Sequence, residues 1–234
     1  MALEQLQTRI AFARPLGSSK MVGGGGNSMD LRALSDSIPD LVIEGKFEEA
    51  EAKLSEAYRE ASKQNDVKAL GDHILPLFVE LYSSQDPPNL TKAEAYALER
   101  EQLDRRGYTK LQTAMLLYHV AKDYPRAVAK LEDAISQGKA ENDESTVYSA
   151  LSLLGQALLQ LDRKSEAVQV LRQIEQMVLA KRAFVVGDET LFLENARTRG
   201  LEMRTVKRVA SILAPLCRDP EFSKRLRVLA ENGN

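Results

Sequence analysis

Three stretches of this chain repeat one pattern: Gly45-Lys46-Phe47-Glu48-Glu49-Ala50, Lys122-Asp123-Tyr124-Pro125-Arg126-Ala127 and Asp162-Arg163-Lys164-Ser165-Glu166-Ala167. Each lies between two apolar helical segments. Each is followed, four and seven residues after its alanine, by Leu54 and Ala57, Leu131 and Ala134, or Leu171 and Ile174. Self-similarity of this kind describes an array of small helical hairpins rather than one α/β unit.

Aligned on the small residue after the turn, every unit has two helices. The first helix carries Leu34, Ile38 and Leu41; or Leu111, Met115 and Tyr118; or Leu151, Gly155 and Leu158. Spacings of three and four put each set on one helix face. Two helices approach closely where one side is small, which assigns that job to Ala50, Ala127, Ala167 and Gly155, with Leu54, Leu131 and Leu171 filling the groove beside them. A lone hairpin cannot bury both faces, so neighbours stack. The fold expectation is all-α, a solenoid of antiparallel hairpins.

A further unit fits less well. Val67, Leu70, Gly71 and Ile74 match a first helix, but the apolar pattern continues to Tyr82 and breaks at Ser83-Ser84-Gln85-Asp86-Pro87-Pro88. The next helix starts near Asn89 or Thr91 and runs to Leu103. Residues 137–145 read as a lengthened connection, with an N-cap in Glu144-Ser145-Thr146. After Val178 the signature fades. Gly187 marks a restart, and a long amphipathic segment then runs to Leu213. Pro215 ends it, and Asp219-Pro220 starts a last helix. The expected organisation is therefore a leader over 1–29, repeats over 30–179 and capping helices over 180–234.

Composition narrows the function. Hydrophobic residues make up 44% and charged residues 28% of the 234, ordinary for a chain with a packed core. No apolar run approaches the roughly 20 residues that span a bilayer. One cysteine, Cys217, precludes an internal disulfide framework and suits a cytoplasmic or other reducing compartment. With His73 and His119 it leaves too few soft ligands for a zinc site. Gly23 to Gly26 lack the Lys-Ser/Thr of a phosphate loop. The acid pairs Glu48-Glu49 and Asp143-Glu144 sit where helix starts favour negative charge. Neither a catalytic constellation nor a cofactor or metal site is readable, and the expectation is a non-enzyme.

The net charge of −2 argues against general nucleic-acid binding, but it is unevenly spread. Arg197, Arg199, Arg204, Lys207, Arg208, Arg218, Lys224, Arg225 and Arg227 face only Glu202, Asp219 and Glu221, so 197–227 carries +6 and the rest of the chain −8. Two readings stand: a solvated helix face that neutralises an acidic array, or a docking patch centred on Arg204, Lys207, Arg208 and Arg225.

The first 29 residues fall outside the repeats. Leu3 to Leu16 is weakly apolar and precedes a Gly-Ser-rich stretch that behaves as flexible coil. Three readings are open: an added leader, a ligand peptide tethered to its own groove, and an organelle-targeting segment.

At Leu154-Gly155…Leu158…Ala167…Leu171, and at the turn motifs of Gly45 and Lys122, the chain resembles the tetratricopeptide repeat family over roughly 30–179. The resemblance implies a superhelix whose first helices line a concave groove. The groove positions carried over are Arg32, Ser35, Val42, Lys68, Asp72, Gln112, Leu116, His119, Ser152, Gln156 and Leu159. The family's clamp for a C-terminal carboxylate is missing, because Ser35, Pro39, Thr113, Ser149 and Leu153 stand in its places. The resemblance therefore implies a protein-binding module, acting as scaffold or regulator, that takes an amphipathic helix or an apolar peptide. The chain's own leader is a second candidate occupant, and self-association stays open. The alternative is a structural adaptor that docks its basic C-terminal helices on an acidic partner, nucleic acid or an anionic membrane.

Overall fold

The computed structural model describes residues 30–180 and 188–231. The leader and the expected restart at Gly187 lie outside these residues. Among the described residues there are eleven helices and no strand. They are α1 (Leu31–Ile43), α2 (Phe47–Lys63), α3 (67–83), α4 (Leu90–Leu103), α5 (107–121), α6 (Tyr124–Glu141), α7 (Glu144–Gln160), α8 (Lys164–Leu179), α9 (Asp188–Thr198), α10 (Met203–Leu213) and α11 (Pro220–Glu231).

One device closes most of the connections. A single residue takes a left-handed backbone at Gly45, Asn65, Lys122, Asn142, Asp162 and Gly200, with φ between 51° and 75°. The next N–H then reaches back into the helix just ended. Lys46 donates to the Leu41 carbonyl (2.8 Å), Asp66 to Ala61 (2.9 Å), Asp143 to Gly138 (2.8 Å) and Arg163 to Leu158 (2.9 Å). These bonds satisfy helix-end carbonyls that would otherwise lack a donor. After three of these turns the following aspartate caps the next helix through its side chain: Asp66 accepts from Ala69, Asp123 from Arg126 and Asp143 from Thr146. Stop and start are thus two consecutive residues, which keeps these connections short.

The helices form two compact units, one of residues up to Arg105 together with 119–121, the other of 106–118 and everything from Lys122 onward. In the first, α1 packs on α2 and on the Leu75–Ser83 half of α3, and α3 packs on α4. Its core centres on Ile38, Leu54, Ile74, Leu75, Phe78 and Leu81. The rings of Phe78 and Tyr96 stack at 4.2 Å, with Tyr82 parallel to both. In the second, successive helices α5 to α8 pack pairwise. α9 then lies on α7, and α10 lies on α8 and α11. One apolar cluster runs through it from Leu111 to Leu229, so no break in the core falls at residue 179. Ala50, Ala127 and Ala167, with Leu54, Leu131 and Leu171, are all 0% exposed. Each of those leucines contributes about 1.5–3 kcal/mol by burial.

Three details depart from the sequence expectations. The lengthened connection at 137–145 is helix instead: α6 continues to Glu141 and the turn is only Asn142 and Asp143, so the cap is Asp143. Gly138 stays helical because α5 presses against it; a Cβ at Gly107 would come within 2.7 Å of the Gly138 nitrogen. The segment expected to run unbroken to Leu213 divides at Gly200 (φ 70°) into α9 and α10. Finally, α3 and α5 each contain a wider, i to i+5 bonded stretch, at Leu70–Ile74 and Leu116–Ala121. The last helix starts as read, with Asp219 Oδ1 accepting from Glu221 (2.8 Å) and Phe222 (3.1 Å).

Candidate functional site

The eleven groove positions are divided between the two units and differ in exposure. In the first unit Arg32 and Lys68 are exposed, and Ser35 and Asp72 are half-buried. Arg32 and Ser35 lie at the start of α1, which packs on the second half of α3, whereas Lys68 and Asp72 lie in its first half. His119 is half-buried in the widened end of α5.

The other six carry a correction. Val42 is 3% exposed, Gln112 7%, Leu116 1%, Ser152 0%, Gln156 4% and Leu159 0%. These side chains are inside the protein and do not face an open groove. On α7 the physical reason is visible. The helix is buried on every side from Thr146 to Leu159 except at Ser149, between α5, α6, α8 and α9. Phe192 of α9 sets its ring directly on Gly155. Two of these buried polar side chains bond locally, with Ser152 Oγ donating to the Tyr148 carbonyl (3.1 Å) and Gln112 Nε2 donating to Tyr108 Oη (3.1 Å).

The basic segment is only partly available. Arg225 clasps Glu194 through both guanidinium edges, the Nε bond measuring 2.7 Å, and Arg208 pairs with Glu175 at 3.1 Å. The hydrogen bonds to Glu194 hold the Arg225 pKa above its ordinary value. Among the described residues, Arg204, exposed, and Lys207, half-buried, form no ion pair, and neither do the exposed Arg218, Lys224 and Arg227. An open cleft of about 300 Å³ lies between α9 and α11, lined by Arg197, Lys224 and Arg225 but also by Glu194 and Glu221. Three cations and two acids line it, so its charge is mixed.

The densest polar cluster in the first unit joins α2, α3 and α4. Lys92 Nζ donates to Glu51 (2.9 Å) and to the Tyr82 hydroxyl (3.3 Å), and lies 4.7 Å above the Tyr82 ring. Tyr58 Oη donates to Glu99 at 2.6 Å. The Lys92 hydrogen bond holds the Glu51 carboxyl below the usual range, while burial pushes Tyr82 up to about 12. The Arg100 side chain, 7% exposed, donates from Nε to the Gly71 carbonyl (2.7 Å) inside the widened stretch of α3. These contacts hold helices together. Sequence reading missed them because the partners are separated by 29 to 41 residues.

Among the described residues no group of three acid, histidine or cysteine side chains is arranged to hold a metal. None of the described helices is long and apolar enough to cross a membrane. No protein-family model matches the chain, and no curated protein matches it.

Proposed function

We propose that this protein is a non-catalytic binding module of tetratricopeptide-repeat type that holds a partner protein segment against its helix hairpins. The observation that carries the reading is the recurrent turn. Left-handed residues at 45, 65, 122, 142 and 162 close five helix connections. Small residues at 50, 127 and 167 are buried at one register behind them. Such arrays present repeated helix faces, and their use in binding follows from surface shape rather than from reactive groups. With the six inner positions buried, the partner engages the accessible part of the first unit, around Ser35 on α1 and Lys68 on α3.

The test is capture of partners by the full chain, alongside Ser35→Glu and Lys68→Glu variants that retain the wild-type melting temperature. Loss of the same partner from both variants supports the reading. Capture unchanged by either rejects this surface.

A second reading is favoured by a separate observation, that Arg204, Lys207, Arg218, Lys224 and Arg227 make no ion pair among the described residues. In it the C-terminal helices dock on an acidic partner. Steep weakening of binding with salt would favour it. An apolar contact is weakly salt-dependent and shows a negative heat-capacity change.

A further inference from the structure

The widened stretch of α3 ends one residue before Pro76. A proline has no N–H, and in an ordinary helix its ring collides with the carbonyl four residues back, here that of Asp72. The wider turn spreads the ladder at that point. Inside it the Leu75 N–H donates to the Leu70 carbonyl, five residues back, and so passes over Gly71. The next donor in the widened pattern belongs to residue 76, which is the proline. Neither main-chain group that a helix could aim at the Gly71 carbonyl is therefore available to it. Gly71 is buried, and a buried carbonyl left without a donor is costly.

Arg100 supplies what is missing. From α4, 29 residues further along the chain, its Nε donates to the Gly71 carbonyl at 2.7 Å. The side chain is 7% exposed, and arginine is seldom this buried unless it is paired. Its charge makes the bond stronger than a neutral donor would. The widened stretch of α5 provides a contrast. It contains no proline, and its closing bond is a main-chain one, from the Lys122 N–H to the Leu117 carbonyl. In α3 the proline, the wider turn and the buried arginine form one arrangement.

We propose that Arg100 is a positioning residue: it stands in for the donor that Pro76 removes, and so fixes the opening turns of α3, which present Lys68. Its consequence for binding rests on the partner surface at Ser35 and Lys68. Ala69, Leu70 and Ile74 pack the buried side of these turns, and the Asp66 side chain caps them by accepting from the Ala69 N–H (2.9 Å). At Gly71, however, the main chain relies on another helix. Loosened turns would aim Lys68 in many directions, and affinity falls by the fraction of time a group spends correctly placed.

The test is a cycle of variants in the full chain: Arg100→Met, Pro76→Ala and the two together. Arg100→Met should speed amide exchange over 70–75 about tenfold, as one charged hydrogen bond is lost. Pro76→Ala restores an N–H five residues from Gly71. Added to Arg100→Met, it should bring exchange at 70–75 back to within about threefold of wild type, a coupling that independent sites would not show. Arg100 is also engaged elsewhere, so recovery is judged at these amides and not from the melting temperature. In the double variant, a scalar coupling across the hydrogen bond should join the amide nitrogen of residue 76 to the Gly71 carbonyl carbon. A spin label on Lys68→Cys, with Cys217→Ser leaving one thiol, should gain mobility with Arg100→Met and lose it again with Pro76→Ala. Four results would overturn the proposal: exchange at 70–75 unchanged by Arg100→Met, no recovery on adding Pro76→Ala, a coupling to Asp72 instead of Gly71, or a label at 68 indifferent to Arg100→Met. No partner enters these readouts, so the binding surface at Lys68 can fail its own test while Arg100 keeps this role.

Discussion

Phe192 on α9 rests its ring against the backbone of Gly155 on α7, occupying the space that a Cβ would take. The contact joins α9 to α7, and Phe192 is 0% exposed. A methyl group at 155 has only ring carbons to displace. Gly155→Ala is therefore expected to destabilise by about 1–3 kcal/mol as an overpacked site, despite the better helix propensity of alanine. Phe192→Ala, which leaves a cavity, should cost about 3–5 kcal/mol. Urea titrations measure both. A Gly155→Ala variant more stable than wild type would show that the ring moves aside freely.

Lys122 closes the α5–α6 connection at φ 55°, a left-handed conformation where its Cβ crowds the carbonyl. Glycine has no such penalty, although it loses more freedom on folding. Lys122→Gly should stabilise by about 0.5–1 kcal/mol, and the reverse change Gly45→Ala (φ 75°) should destabilise by about 1 kcal/mol or more. Melting temperatures moving in opposite directions would confirm that the turns share one geometry.

Arg100 donates to the Gly71 carbonyl within a stretch whose widened bonding alters the normal helical ladder. Arg100→Met keeps much of the volume but leaves that carbonyl without the charged donor. The expected loss is about 1–3 kcal/mol. Amide exchange over α3 should accelerate in the variant, and unchanged protection at 70–75 would show that the arginine is dispensable.

Tyr82 has a folded pKa of about 12, raised chiefly by burial and then by its hydrogen bond to Glu51. Hydrogen bonding to Glu99 raises Tyr58, and burial raises Tyr96. A group whose pKa is higher in the folded state stabilises the fold fully below its unfolded value. That contribution disappears as pH rises through the folded value. Stability of the first unit should therefore hold up to about pH 10, the ordinary tyrosine value, and fall between there and about pH 12. Tyrosinate absorbance followed alongside circular dichroism tests this. Tyr82→Phe should lessen the alkaline loss, and ionisation of every tyrosine near pH 10 with the helices intact would contradict it.

Much of the helical order could be read from residues close together in the chain. The cap at Asp219-Pro220 and the start of α4 at Asn89 depend on side chains two or three positions from the backbone groups they satisfy, and the turn at Gly45 depends on that residue's own left-handed backbone. Small and large residues at three- and four-residue spacing likewise revealed which faces pair. What could not be read was exposure. Ser152, Gln156 and Leu159 carry the spacing of a ligand-facing row, and nothing local to them shows that α7 is enclosed on every side.

By itself, then, the sequence determined the helices, several of their turns and the buried alanine–leucine register, because these follow from hydrogen bonds and side-chain size within one or two turns of chain. Only the tertiary structure decided which faces remain open. Burial depends on neighbours brought in from far along the chain, as α9 is brought to α7 across residues 161–187. The same dependence sorts the basic segment. Arg225 and Arg208 are tied up by Glu194 and Glu175, 31 and 33 residues away, while Lys224 and Arg227 beside Arg225 make no ion pair among the described residues.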